Sequence, residues 1–254
     1  MDRHQVFELQ RAGLEAFIRA TAHASEGGRL AELDGVVGAV IPACAERSLP
    51  NSVVWRDVGS LRAALGELAA AYDQAGVAAW TVWVPEGEDE AAELLESSGH
   101  RFDGSPAAMY MRLADLAAPA VRDLDWDAAA EPAEVGRVND LAYGFPVGKG
   151  PGPAIGHGPA ELGTRLYRAR VGGETVSVMQ TLDVGDDCVV TMVATLPDHR
   201  GRGLAGRLLW AALAEARQRG LVTSTLQASI LGAGIYERIG YGVAGRLRLY
   251  ERRR

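Results

Sequence analysis

Between Val193 and Leu209 the chain reads V-A-T-L-P-D-H-R-G-R-G-L-A-G-R-L-L. A β-branched run, a proline turn, a basic glycine loop and an amphipathic stretch follow one another, which predicts strand, turn, loop and helix in that order. The first N–H groups of a helix lack partners within it, and the helix dipole adds partial positive charge there, so such a turn attracts anions. Gly201, Gly203 and Gly206 leave no side chain between backbone and ligand, and Arg200 and Arg202 add charge. A ligand carrying a phosphate or pyrophosphate fits this loop.

The rest of the composition narrows the partners. With 254 residues, 48% apolar and 23% charged, the chain suits a soluble globular protein of one large or two ordinary domains. No window approaches the roughly 18 consecutive apolar residues of a membrane span. The start, M-D-R-H-Q-V-F-E-L-Q, lacks the apolar core of a signal peptide, so a cytoplasmic protein without membrane contact is expected. A net charge of −7 argues against nucleic acid as a partner, and Arg252–Arg254 read as a solvated tail. Cys44 and Cys188 are too few for a disulfide framework or zinc site, and the five histidines show no metal-ligand spacing; no metal is expected.

Periodicity places helices at 5–22, 58–72, 90–97, 132–143, 204–219 and 230–239. Strands are expected at 35–41, 52–55, 77–84, 107–113, 121–124, 165–171, 175–182, 188–195, 221–227 and 243–250. The stretch 144–158 is rich in glycine and proline and reads as a long, functional loop. Turn formers and acidic residues at 117–132 suggest a domain boundary near 118. Each side of it ends in strand, amphipathic helix, strand, short helix and strand. A-A-E-L-L-E-S-S-G-H-R-F at 91–102 parallels G-A-G-I-Y-E-R-I-G-Y-G-V at 232–243, which points to a tandem duplication. In the first copy W-R-D-V-G-S-L-R-A stands where the glycine loop should be, so that copy is expected not to seat a pyrophosphate.

Gly201–Gly206 also satisfies G-x-G-x-x-G, but the acidic residue that a dinucleotide site needs about 20 positions on is missing from Leu221–Gln227. A P-loop is excluded, since no Gly-Lys-Ser/Thr follows. A glycine-rich helix start without a ligand is the remaining alternative.

Residues 119–254 resemble the GNAT family of acyl-CoA-dependent N-acyltransferases. The family's signature, Arg or Gln, two residues, Gly, one residue, Gly or Ala, appears as Arg200, Gly201, Arg202, Gly203, Leu204, Ala205. The block G-I-Y-E-R-I-G-Y at 234–241 is similar to the family's late helix. The resemblance implies an α/β fold with a mixed, mostly antiparallel sheet flanked by helices, in tandem form. It divides the chain into a degenerate domain 1–118 and an acetyl-CoA-binding catalytic domain 119–254. It implies an N-acetyltransferase using acetyl-CoA as acyl donor and a small-molecule amine or peptide N-terminus as acceptor. The first domain would cover the acceptor cleft or mediate association, with a homodimer as one form. A non-catalytic acyl-CoA sensor is the alternative.

By the same resemblance, the pyrophosphate lies on Arg200, Gly201, Arg202, Gly203, Leu204, Ala205 and Gly206. Val193 offers its N–H to the thioester carbonyl and Thr195 bonds the pantetheine amide, unless both merely pack in a strand. Tyr236 is the proton donor to the leaving thiolate, unless it only packs beside Ile235 and Ile239. Ser229 stands near the place of a cofactor-contacting Asn in many members. Val189 stands where many carry a glutamate base. The base would then be elsewhere, with Asp186, Asp187 and His157 as candidates, and His199 is expected to face solvent or the phosphates.

Overall fold

The computed structural model describes residues 1–117, 123–155, 163–230 and 232–254. The expected boundary at 118, residues 121 and 122 of an expected strand, and His157 lie outside them.

The first half opens with helix α1 (Arg3–Ala24), whose N-terminus is closed by Asp2 in a reciprocal capping box with Gln5. Strands β1 (Arg29–Leu33) and β2 (Val36–Val40) form a hairpin around Asp34-Gly35, with Gly35 at φ +70°. Strand β3 (Ser52–Trp55), helix α2 (Val58–Gln74), strand β4 (Ala79–Pro85), helix α3 (Asp89–Ser97) and strands β5 (Arg101–Gly104) and β6 (Ala107–Arg112) complete it. The second half holds β7 (Asp125–Asp127), α4 (Pro132–Ala142), β8 (Thr164–Val171), β9 (Glu174–Val184) and β10 (Asp187–Thr195). It ends with α5 (Leu204–Gln218), β11 (Thr223–Ala228), α6 (Ala233–Ile239) and β12 (Gly242–Arg253). The expected strand at 121–124 is displaced: Leu124 precedes β7. Strands β1 and β5 were not expected.

The strands form one sheet in the order β1-β2-β3-β4-β12-β6-β11-β10-β9-β8-β7, with β5 beside β12. Most neighbours are antiparallel; β3 with β4 and β10 with β11 are parallel. The halves exchange strands. β6, before residue 118, lies between β11 and β12 of the second half. β12 pairs with β6 over Gly242–Arg246, then continues along β4 over Leu247–Arg253, beside β5. Each half thus completes its sheet with a strand from the other.

Helix α5 buries Leu204, Leu208, Leu209, Leu213 and Ala216, the stripe its periodicity predicts, and from Leu208 on this stripe packs in one cluster with β6, β8, β9 and β10 residues including Met109, Tyr167, Met179 and Val190. Helix α1 crosses the opposite face and bridges the halves. Gln10, fully buried, donates to the carbonyls of Met109 (3.0 Å) and Leu226 (3.2 Å) and accepts from the Gln227 amide. Gly13 lies on Val189, where a Cβ would stand 2.8 Å from Val189 Cγ2. Gly13→Ala is therefore expected to destabilise the fold by about 1 kcal/mol net, the overlap outweighing the gain in helix propensity. Urea denaturation checks this; an unchanged or higher midpoint would mean that α1 does not press on β10 here.

Candidate active site

Strands β10 and β11 pair from Asp187/Thr223 to Val190/Leu226 and no further, although β10 runs on to Thr195 and β11 to Ala228. On its other edge β10 has a bulge: Thr191 partners Gln180 and Ala194 partners Val178, so Met192 and Val193 together face one residue of β9. Met192 takes φ +52°, unusual for a side chain of that size. Asn139 on α4 holds this conformation. Fully buried, its amide donates to the carbonyls of Val135 (2.9 Å) and Met192 (3.3 Å). Sequence reasoning missed Asn139. Its signal was a polar residue on the stripe of Val135, Val138 and Ala142.

Val193 and Tyr236 line the same cavity, of about 780 Å3, between the two halves. Ser229, Ile230 and Thr191 line it too. The Tyr236 ring meets Tyr241 edge-on at 6.1 Å, and the Tyr241 hydroxyl is pinned 2.6 Å from Ser224 Oγ. Burial, and next to it Tyr143, push the Tyr236 phenol up to about 12, so it stays protonated across the neutral range. Ser229 closes the turn before α6: its Oγ accepts from Gly232 N–H at 3.2 Å, leaving its own hydrogen free to donate.

The glycine loop stands beyond the end of β10. Gly201 and Gly203 have φ of +75° and +71°, which glycine adopts without strain, and Gly203 is the N-cap of α5. Helices α1 and α2 are capped by the carboxylates of Asp2 and Asp57, and α4 has a capping box through Glu131 and Glu134. Helix α5 has no side-chain cap and no acid in its first turn. Its first N–H groups suit an anion such as a pyrophosphate. Leu204 is buried, so only its backbone can serve a ligand.

Other expected residues have additional or different employment. Arg200 donates to the carbonyls of Thr195 (3.2 Å) and Ala142, tying the loop to α4, and Arg202 donates to the Asp198 carbonyl at 3.3 Å. Gly206 faces α6, where a Cβ would make ordinary contacts with Ile235 (3.6 Å) and Ile239 (3.9 Å), so packing against α6 does not by itself require glycine there. The Thr195 hydroxyl sits 2.8 Å from Ser177 Oγ. His199 is partly buried, with Nδ1 enclosed and without a described partner, rather than turned simply to solvent.

The base candidates fare differently. Val189 is buried beneath α1 in the cluster with Leu182 and Ala20, so its place holds no proton acceptor. Asp187 is buried between Thr223 and Thr225, whose hydroxyls donate to it, and burial raises its pKa. The Asp186 carbonyl accepts from Val222 and Thr223, in the turn opposite the cavity end of β10. Neither aspartate is among the cavity's lining residues.

In the first half, the segment that the sequence aligns with the glycine loop forms the turn from β3 into α2. There Asp57 Oδ1 accepts from Ser60 N–H at 2.9 Å and Oδ2 from Ser60 Oγ–H at 2.8 Å, while Arg56 pairs with the same carboxylate. The first N–H groups of α2 are thus capped by the protein's own carboxylate.

Among the described residues no group of His, Cys, Asp or Glu could hold a metal ion, and no helix is long and apolar enough to cross a membrane. Residues 188–244 match the family model of the acetyltransferase (GNAT) domain. No curated protein matches the sequence significantly. The fold is similar to that of a GCN5-related N-acetyltransferase from Kribbella flavida, at TM-score 0.66 and 18% identity, covering 94% of this chain and 93% of that one. A GCN5-related N-acetyltransferase from Sphaerobacter thermophilus aligns at TM-score 0.57 and 18% identity over 86% of this chain and 80% of that one. A tandem GNAT protein from the clavulanic acid biosynthesis pathway aligns at TM-score 0.54 and 13% identity, over 86% and 78%. The matched segment holds β10 from Cys188 on, the glycine loop, α5, β11 and the helix of Tyr236, and the architecture around it is the fold of the GCN5-related N-acetyltransferases.

Proposed function

We propose that the protein is a cytoplasmic N-acetyltransferase that moves an acetyl group from acetyl-CoA to a primary amine by direct attack. The observation that carries this reading is that Val193, at the bulge of β10, and Tyr236 line one cavity where β10 and β11 part. Acetyl-CoA supplies the thioester. The uncapped start of α5 would hold its pyrophosphate, with Arg200 to Gly206 around it, and Thr195 and Ser229 would offer contacts nearer the arm. The Val193 N–H would donate to the oxygen on which charge develops. The acceptor nitrogen forms the new C–N bond as the C–S bond breaks. Tyr236 protonates the departing sulfur, and the proton shed by nitrogen restores the phenol or leaves to solvent. With Val189 buried, the amine has to arrive neutral.

We read residues 1–118 and 119–254 as tandem copies, the first degenerate at Asp57; the likeness to a tandem GNAT protein supports this. Tyr236→Phe is expected to lower kcat about 100-fold with acetyl-CoA affinity unchanged. In the native enzyme kcat should stay flat from neutral pH to about pH 10, because the raised phenol keeps its proton there. Release of CoA thiol under steady state checks both; an unchanged turnover number in the variant would remove the acid role. The burial of Val189 also favours a non-catalytic acyl-CoA sensor, which would bind acetyl-CoA and turn over no amine.

A further inference from the structure

We infer that the first half builds the acceptor's pocket and that the acceptor is a primary amine with an apolar body, such as an alkyl or arylalkyl amine. The inference rests on the transferase reading above and names its substrate class. The cavity is within the roughly 300–1,000 Å3 of small-molecule sites, and past the parted strands that would take the donor's arm and acetyl group it extends into the first half. From its reacting end at Val193 and Tyr236, the lining passes to Leu14 and Phe17 of α1, Trp83 of β4, Leu49 after β2, and Leu249 of β12. Trp83 spends its indole N–H on Ser52 Oγ at 2.9 Å, so it offers the cavity only carbon. Leu49 is 50% exposed, an apolar side chain left open at the lining for a ligand to cover. Leu14 and Leu249 are buried, so this wall is packed in place before any ligand arrives. Of the polar side chains that also line the cavity, Arg47 donates to the Lys149 carbonyl, Ser48 to the Glu251 carboxylate, and Arg253 to the Glu251 carboxylate and the Glu46 carbonyl, so against the apolar wall a polar acceptor would lose water with little hydrogen bonding to replace it.

The test is kcat/KM with acetyl-CoA for ethylamine, butylamine, hexylamine and 2-phenylethylamine, beside putrescine and glucosamine as polar amines. Each buried methylene should raise kcat/KM about fourfold along the alkyl series. Leu49→Ser, at a half-exposed position that does not threaten folding, should raise KM for hexylamine about tenfold with kcat unchanged. Calorimetric binding of N-(2-phenylethyl)acetamide, the product, should weaken by a similar factor in that variant, without any turnover. Preference for the polar amines, or a flat alkyl series, overturns the acceptor class and leaves the transferase standing. A gain that follows acyl-chain length in butyryl- and hexanoyl-CoA, and not the amine, also overturns it by giving the pocket to the donor. CoA release with no amine at all removes both readings.

Discussion

Expressed alone, residues 119–254 are expected to fail to fold, and residues 1–117 likewise. Cutting the chain near 118 takes β6 out from between β11 and β12 and strips β4 and β5 from the distal part of β12. The second fragment then exposes the sheet edge of β11 and the distal half of β12, including the buried Leu247, Leu249 and Tyr250. It also loses α1 from above Val189 and Leu182. Removing the partners of even a few such side chains costs about 2–5 kcal/mol each, against a total stability of about 5–15 kcal/mol. Co-expression of both fragments should restore a soluble complex, since every pairing partner is again present. Circular dichroism and urea titration of each fragment, with co-purification of the pair, check this. A cooperative unfolding transition in isolated 119–254 would show that its last strand can fold back and complete its own sheet.

Gly203→Glu is expected to weaken acetyl-CoA binding by about 100-fold or more, measured by calorimetric titration. The substitution places a carboxylate at the N-cap of α5, where a pyrophosphate would accept the same N–H groups. The first half already carries this arrangement, with Asp57 on the N–H of Ser60. Because Gly203 has φ +71°, any side chain adds strain of about 1–2 kcal/mol. Gly203→Ala carries that strain without charge and should lose much less affinity than the glutamate variant. Equal losses would assign the effect to backbone strain. Binding by Gly203→Glu at the native level, or no binding by the native protein while NAD binds, would overturn the acetyl-CoA site.

Much of the second half was legible from its residues. The stripe of α5, its glycine entry, the long β8–β10 meander and the placing of Tyr236 on a short late helix all follow from local pattern. Strand β1 has a local signal in the sequence: Asp34-Gly35 between Leu33 and Val36 is a hairpin turn, and it brings Arg29–Leu33 against β2. Strand β5 had none, since Arg-Phe-Asp-Gly is short, polar and mostly exposed.

What the sequence by itself determined is the chemistry of short segments. Glycines needing positive φ, an acid-free helix start and apolar residues at helical spacing act within a few residues of one another, so their pattern survives in one dimension. What only the tertiary structure decided is who partners whom. The exchange of β6 and β12 joins residues well over a hundred positions apart, and nothing in Ala107–Arg112 marks it for β11. The burial of Val189 depends on Gly13 of α1, the conformation of Met192 on Asn139 of α4, and the cavity on side chains of both halves. Each of these is a long-range complementarity of shape and hydrogen bonding, and either partner read alone looks like ordinary packing.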